Sequence, residues 1–201
     1  MKKSFLYILF LLFAHTDLFS QNIRNQDNFS EIVGEEKGDL NNDKKPDRVV
    51  VTTTKTGEIK PFRLQIFLSQ PNSKNLKLQV SSTQIFENQY PVETSGKQRN
   101  FRIPDFFIEK GKLVILTDVN ELKSRYIFRF KDGNFELTHI SRVISDGREI
   151  TTETEIDLLE GTKVVFDQDF GTTKKYKLKQ KTTPKPLPKI QDLTFSDLEK
   201  Y

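Results

Sequence analysis

Along most of this chain apolar residues recur at every second position rather than at helical spacing, and β-branched and aromatic residues fill those runs. The clearest alternating segments are Arg48 to Thr54 (RVVVTTT), Phe62 to Ser69 (FRLQIFLS), Leu76 to Ser81, Phe106 to Glu109, Lys112 to Asp118, Ser124 to Lys131 (SRYIFRFK) and Asn134 to Val143. Ile150 to Leu158 and Thr162 to Asp167 follow, with Tyr176 to Lys179 as a weaker candidate. About nine strands in one domain predict an all-β, antiparallel architecture.

The turns reinforce the pairing. Asp132-Gly133 sits between two alternating runs and suits the positive φ angles of a two-residue type I′ hairpin. Lys110-Gly111 and Glu160-Gly161 mark two more hairpins, so residues 106 to 167 read as a meander. Within it, period two puts Tyr126, Phe128 and Phe130 on one face and Arg125, Ile127 and Arg129 on the other, mostly solvated one.

Three stretches break the alternation. Residues 82 to 104 are rich in Gln, Asn and Ser and carry Pro91 and Pro104, which predicts a long loop that is functional or mobile. Residues 174 to 189 hold seven lysines, and Thr182 to Lys189 (TTPKPLPK) holds three prolines, so an edge strand leading into an extended strap is expected. Ser196 and Glu199 have capping-box spacing, predicting one helical turn over Ser196 to Lys200.

Lys2 and Lys3 precede an apolar run from Phe5 to Ala14, the order of a secretory signal, and cleavage is expected after Ser20. That run is short of the roughly 20 apolar residues a membrane-spanning helix needs, so no transmembrane anchor is expected. The expected organisation is a signal over residues 1–20, one antiparallel β domain over 21–181, and a Pro/Lys-rich strap with its turn over 182–201. The location would be periplasmic or secreted. With no Cys in the chain, stability has to come from burying Phe, Leu, Ile and Val.

One segment carries candidate chemistry. Gly38 to Val51 reads GDLNNDKKPDRVVV and spaces Asp39, Asn41, Asp43 and Asp47 at positions 1, 3, 5 and 9 of a tight loop over residues 38–48. Calcium takes six to eight oxygens at about 2.3 to 2.6 Å, and alternate side chains of a curled loop can converge on it, with the Lys45 carbonyl as a backbone donor. The competing reading is that the same residues form Asx turns without metal, and Lys44 and Lys45 place positive charge beside the site.

The pattern GDLNxDxxxD followed by a valine-rich strand resembles the FG-GAP and VCBS repeats of integrin-type β-propellers over roughly residues 28 to 54. The resemblance implies Asp39, Asn41, Asp43, the Lys45 carbonyl and Asp47 as calcium ligands, an aromatic-glycine strand near Phe29-Ser30, and a partial β-propeller as an alternative to a sandwich. Asn42 and Lys44 stand where that family usually has glycine, and Lys adopts a left-handed backbone poorly. The chain also resembles a loose set of exported bacterial proteins with one such loop, a meander and a late segment like YxLLTGK, here Glu155 to Lys163 (EIDLLEGTK).

Other chemistries are poorly supplied. After signal removal His139 is the one histidine, set in an alternating strand far from any nucleophile-elbow glycines, so thiol, multi-histidine zinc and Ser-His-Asp chemistry are not expected. No phosphate-cradling glycine loop appears, and nucleic acid is disfavoured by the compartment despite a pI of about 9.1. The leading expectation is a non-catalytic envelope module that recognises a protein or glycan. Two others stand beside it: a polysaccharide hydrolase using carboxylates near residues 82 to 104, and an accessory subunit whose tail, residues 184 to 201, docks on a partner.

Overall fold

The structure is a computed structural model, which describes residues 28–57, 59–88, 104–119, 122–145, 147, 150–169, 175–181 and 186–201. The expected signal and most of the expected 82–104 loop lie outside the described residues.

Eleven strands follow in order: β1 (Glu31–Gly38), β2 (Asp47–Thr53), β3 (Phe62–Gln70), β4 (Ser73–Ser82), β5 (Asp105–Glu109), β6 (Lys112–Val119), β7 (Leu122–Lys131), β8 (Asn134–Ser145), β9 (Ile150–Asp157), β10 (Thr162–Asp169) and β11 (Lys175–Lys181). Every strand pairs antiparallel with its sequence neighbour within two sheets, β1 to β4 and β5 to β11. The expected all-β meander is therefore what forms. Lys110 (φ 49°), Gly111 (φ 72°), Asp132 (φ 48°) and Gly133 (φ 77°) take the left-handed angles that two-residue hairpins need. The lysine-rich β11 lies at a sheet edge, as its composition predicts.

One hydrophobic cluster joins the two sheets. Val49, Val51, Leu64 and Ile66 come from the smaller sheet, and Leu113, Ile115, Tyr126, Phe128, Phe135 and Leu137 from the larger, all fully shielded from water. Burying each such side chain contributes on the order of 1.5–3 kcal/mol. On the β7 face turned away from that core, Arg125 pairs with Glu109 and Arg129 with Glu136.

β1 has no counterpart among the alternating segments of the sequence; the resemblance places a strand near Phe29-Ser30, just before it. Glu31–Gly38 is charged and holds two glycines, a composition with weak strand propensity. Packing explains those glycines: a Cβ on Gly34 would stand 2.8 Å from the Phe106 ring, and one on Gly38 would stand 2.8 Å from Ile108 Cγ2. The smaller sheet approaches β5 through these two bare positions.

The end of the chain belongs to the core. A 3-10 turn (Ile190–Asp192) and helix α1 (Phe195–Glu199) set Ile190, Leu193 and Leu198 into the shared cluster. Leu137 N–H donates to the Pro188 carbonyl (2.8 Å) and Phe195 N–H to the Gln84 carbonyl (2.7 Å). Arg142 donates to the carbonyls of Leu198, Glu199 and Tyr201, satisfying the C-terminal end of α1. One expectation changes accordingly. The helix starts one residue earlier than expected, capped by Thr194 with Asp197 rather than by Ser196 with Glu199. Described residues 186–201 pack on this chain's own body.

Candidate functional site

The loop from Gly38 to Asp47 crosses from β1 to β2 at one end of the smaller sheet. Asp47 anchors it from below. Its side chain is fully buried, with Oδ2 accepting from the N–H groups of Leu40 (2.7 Å) and Asn41 (3.2 Å) and Oδ1 from the N–H of Ser69 on β3 (2.8 Å). Leu40 drops its side chain into the core beside it, so the first half of the loop is held by one carboxylate and one apolar contact.

The upper half closes on itself. Asp39 accepts from the N–H groups of Asp43 (3.1 Å) and Lys44 (2.8 Å), the Asn41 amide oxygen from Asp43 N–H (3.0 Å), and Asp43 Oδ1 from Lys45 N–H (2.9 Å). The Ser69 hydroxyl donates to Asp43 Oδ2 (2.6 Å) and is the main reason its carboxyl sits below the usual carboxylate range. Lys45 turns its ammonium away to the carbonyls of Gln70 (3.0 Å) and Pro71 (3.1 Å). Asn42 (φ 61°) and Lys44 (φ 66°) are both left-handed, the conformation for which the resembling repeats use glycine. Asn42 Oδ1 and the Asp39 carbonyl lie against Gly111, within 3.4 Å of where a Cβ would be. The loop thus touches the β5–β6 turn and bridges both sheets.

Asp39, Asn41, Asp43, Lys45 and Asp47 are therefore brought into one loop, and their fit to a metal ion is uneven. A carboxylate has about four lone-pair directions, so Asp39, with two N–H donors, keeps others available. Asp47, with three donors and no exposure, keeps least. Among the described residues, no group of three or more His, Cys, Asp or Glu side chains stands ready to hold a metal. Ser69 is the member that sequence reading missed, because its tie to the loop spans 26 positions and depends on β2–β3 pairing.

No protein-family model, curated protein or solved structure matches this chain.

Two other places hold polar groups. On the outer face of the larger sheet, Glu155 Oε2 lies 2.7 Å from His139 Nε2 and accepts from Ser141 Oγ at 2.7 Å. Ser141 Oγ also lies 3.4 Å from that same Nε2, so Ser141 and Glu155 meet one ring nitrogen of His139 rather than opposite ones, as a serine nucleophile relayed through histidine requires. At one end of the larger sheet, a cavity of about 710 Å³ is lined by Glu87, Asp105 and Asp118, with Phe86, Leu116 and Phe195 among its apolar walls.

Proposed function

We propose that this chain is an exported, non-catalytic β module of the bacterial envelope or its surroundings, serving as a binding or structural protein with a structural calcium loop over residues 38–48. The observation that carries the reading is where the oxygen donors are used. Asp39, Asn41, Asp43 and Asp47 serve main-chain N–H groups of the loop, with Ser69 of β3 engaged as well, an arrangement that ties a polar loop to the smaller sheet. Calcium would be held by the remaining lone pairs of Asp39, Asn41 and Asp43 with the Lys45 carbonyl, while Asp47, saturated by three N–H donors, would hold the loop from below.

Calorimetric titration with calcium, paired with melting curves in calcium and in EDTA, tests the metal. Saturable heat and a melting temperature raised by calcium in the parent, both absent in Asp39→Asn, are expected. Identical melting in calcium and EDTA without heat removes calcium and leaves the loop a hydrogen-bonded clasp.

A second reading, a hydrolase acting on polysaccharide, is favoured by the three carboxylates on the 710 Å³ cavity. Release of reducing ends from envelope polysaccharide by the purified chain, abolished in Asp105→Asn, would displace the non-catalytic reading.

A further inference from the structure

β4 is an outer strand of its sheet, and no other described strand pairs with its free edge. Its first six residues, Ser73–Leu78, are all exposed, Leu76 at 39 % and Leu78 at 45 %. A row runs across the outer face of the smaller sheet in register: Lys37 opposite Arg48, Arg48 opposite Phe67, and Phe67 opposite Leu78. Beside it, Lys45, Lys74 and Leu76 join Lys37 and Arg48 around a groove of about 470 Å³. Two leucines presented along an open strand edge thus stand next to four cationic side chains. The exposed acid bonded among them is Glu35, whose carboxyl is drawn down to about 2 by Arg48 and then Lys37 and so stays ionised. Buried Asp47 also borders the groove and the Lys45 ammonium is bonded to the Gln70 and Pro71 carbonyls, so four cations stand against two carboxylates.

We propose that the β4 edge from Ser73 to Leu78 is a docking strand for an extended segment of a partner polypeptide in which acidic and apolar residues alternate. Main-chain N–H and C=O groups along it, apart from the Asn75 N–H that donates to Ser73 Oγ (2.9 Å), would extend the sheet by one strand over about 20 Å. Period two would turn one face of the added strand toward Leu76 and Leu78 and keep its carboxylates within reach of Lys74, Lys37 and Arg48. A second copy of this chain is disfavoured, because β4 against β4 would set two edges that each carry exposed Lys74 and Lys77 side by side. A sulfated or carboxylated glycan would meet the cations but would leave both leucines and the strand edge unused. Lys74, Lys77 and the register shifts in the β3–β4 ladder are devices that commonly bar pairing, yet the same stretch presents two large exposed leucines. The proposal rests on the reading of this chain as a binding module.

The test uses the full-length mature chain and a fluorescent, end-blocked peptide of alternating Glu and Val, followed by anisotropy and by amide hydrogen exchange. Saturable binding that weakens as salt rises is expected, with new protection on the amides of Ser73–Leu78. Lys74→Glu with Leu78→Thr should lower affinity by about tenfold or more, and an alternating Lys-Val peptide should not bind. Both substitutions are at exposed positions, and unchanged melting of the variant confirms that it folds. Absence of saturable binding, or binding that ignores the two substitutions, overturns the docking strand. Dextran sulfate binding where the peptide does not would also overturn it. If envelope proteins captured by the parent are captured equally by the variant, the β4 assignment falls and the binding-module reading stands. Capture of nothing by either chain removes both.

Discussion

At Asp47, three main-chain N–H groups converge on two carboxylate oxygens in a place closed to water. Asp47→Asn turns one acceptor into a donor facing a donor, and a loss of about 2–4 kcal/mol is expected in urea unfolding. Lys44 is the converse case. It holds a left-handed φ of 66° without glycine's freedom, so Lys44→Gly should stabilise by up to about 1 kcal/mol and remove a charge beside the proposed calcium site. The four side-chain donors were legible in sequence because alternate oxygen-bearing residues before a valine run are a local pattern. What each oxygen does was not, since Asp47 bonds across to Ser69 and Asn42 leans on Gly111, contacts made only by pairing and packing. Acid adds a further residue-level test. Arg48 and Lys37 hold Glu35 at about 2 against an ordinary 4.5, and Lys200 with Thr194 holds Asp197 at about 2 against 3.8. Both groups bind fewer protons folded than unfolded, so their contribution is whole above pH 4.5 and lost as pH falls toward 2. Melting followed through that window should show the fall, and Glu35→Gln should flatten part of it.

Hairpins were the elements read most surely, because a two-residue turn with glycine fixes which runs pair and in what register. β1 shows the opposite. Its strand form comes from pairing to β2, and its glycines answer to β5, neither of which its own residues announce. Gly38→Val should therefore press on Ile108 and lower stability by about 1–3 kcal/mol, measured by urea unfolding, whereas Gly133→Ala meets open space and tests only the turn. The displaced cap of α1 has a similar origin. Ser196 and Glu199 have the right spacing, but Thr194 and Asp197 make both reciprocal bonds, because the chain bends into the helix where Phe195 N–H reaches Gln84. Spacing alone does not choose between two such pairs offset by two residues.

At the scale of the whole molecule, the final segment fills the core shared by the sheets. Leu198→Ala removes a side chain with no exposure and should cost about 2–5 kcal/mol, read from the urea midpoint. Lysine content and prolines made residues 182–189 read as an extended strap, because composition reports average polarity and not where the residues after it, Ile190, Leu193 and Leu198, are placed. Alternation and turn residues, which act within a few positions, were enough to specify an all-β antiparallel meander and to mark the oxygen-rich loop. Which strands stack, where a bare glycine is required, how the loop's oxygens are spent and where the chain's end settles depend on groups that are distant in sequence and meet only after the sheets pack. Those were decided by tertiary structure, since close packing and hydrogen-bond satisfaction are properties of neighbours in space.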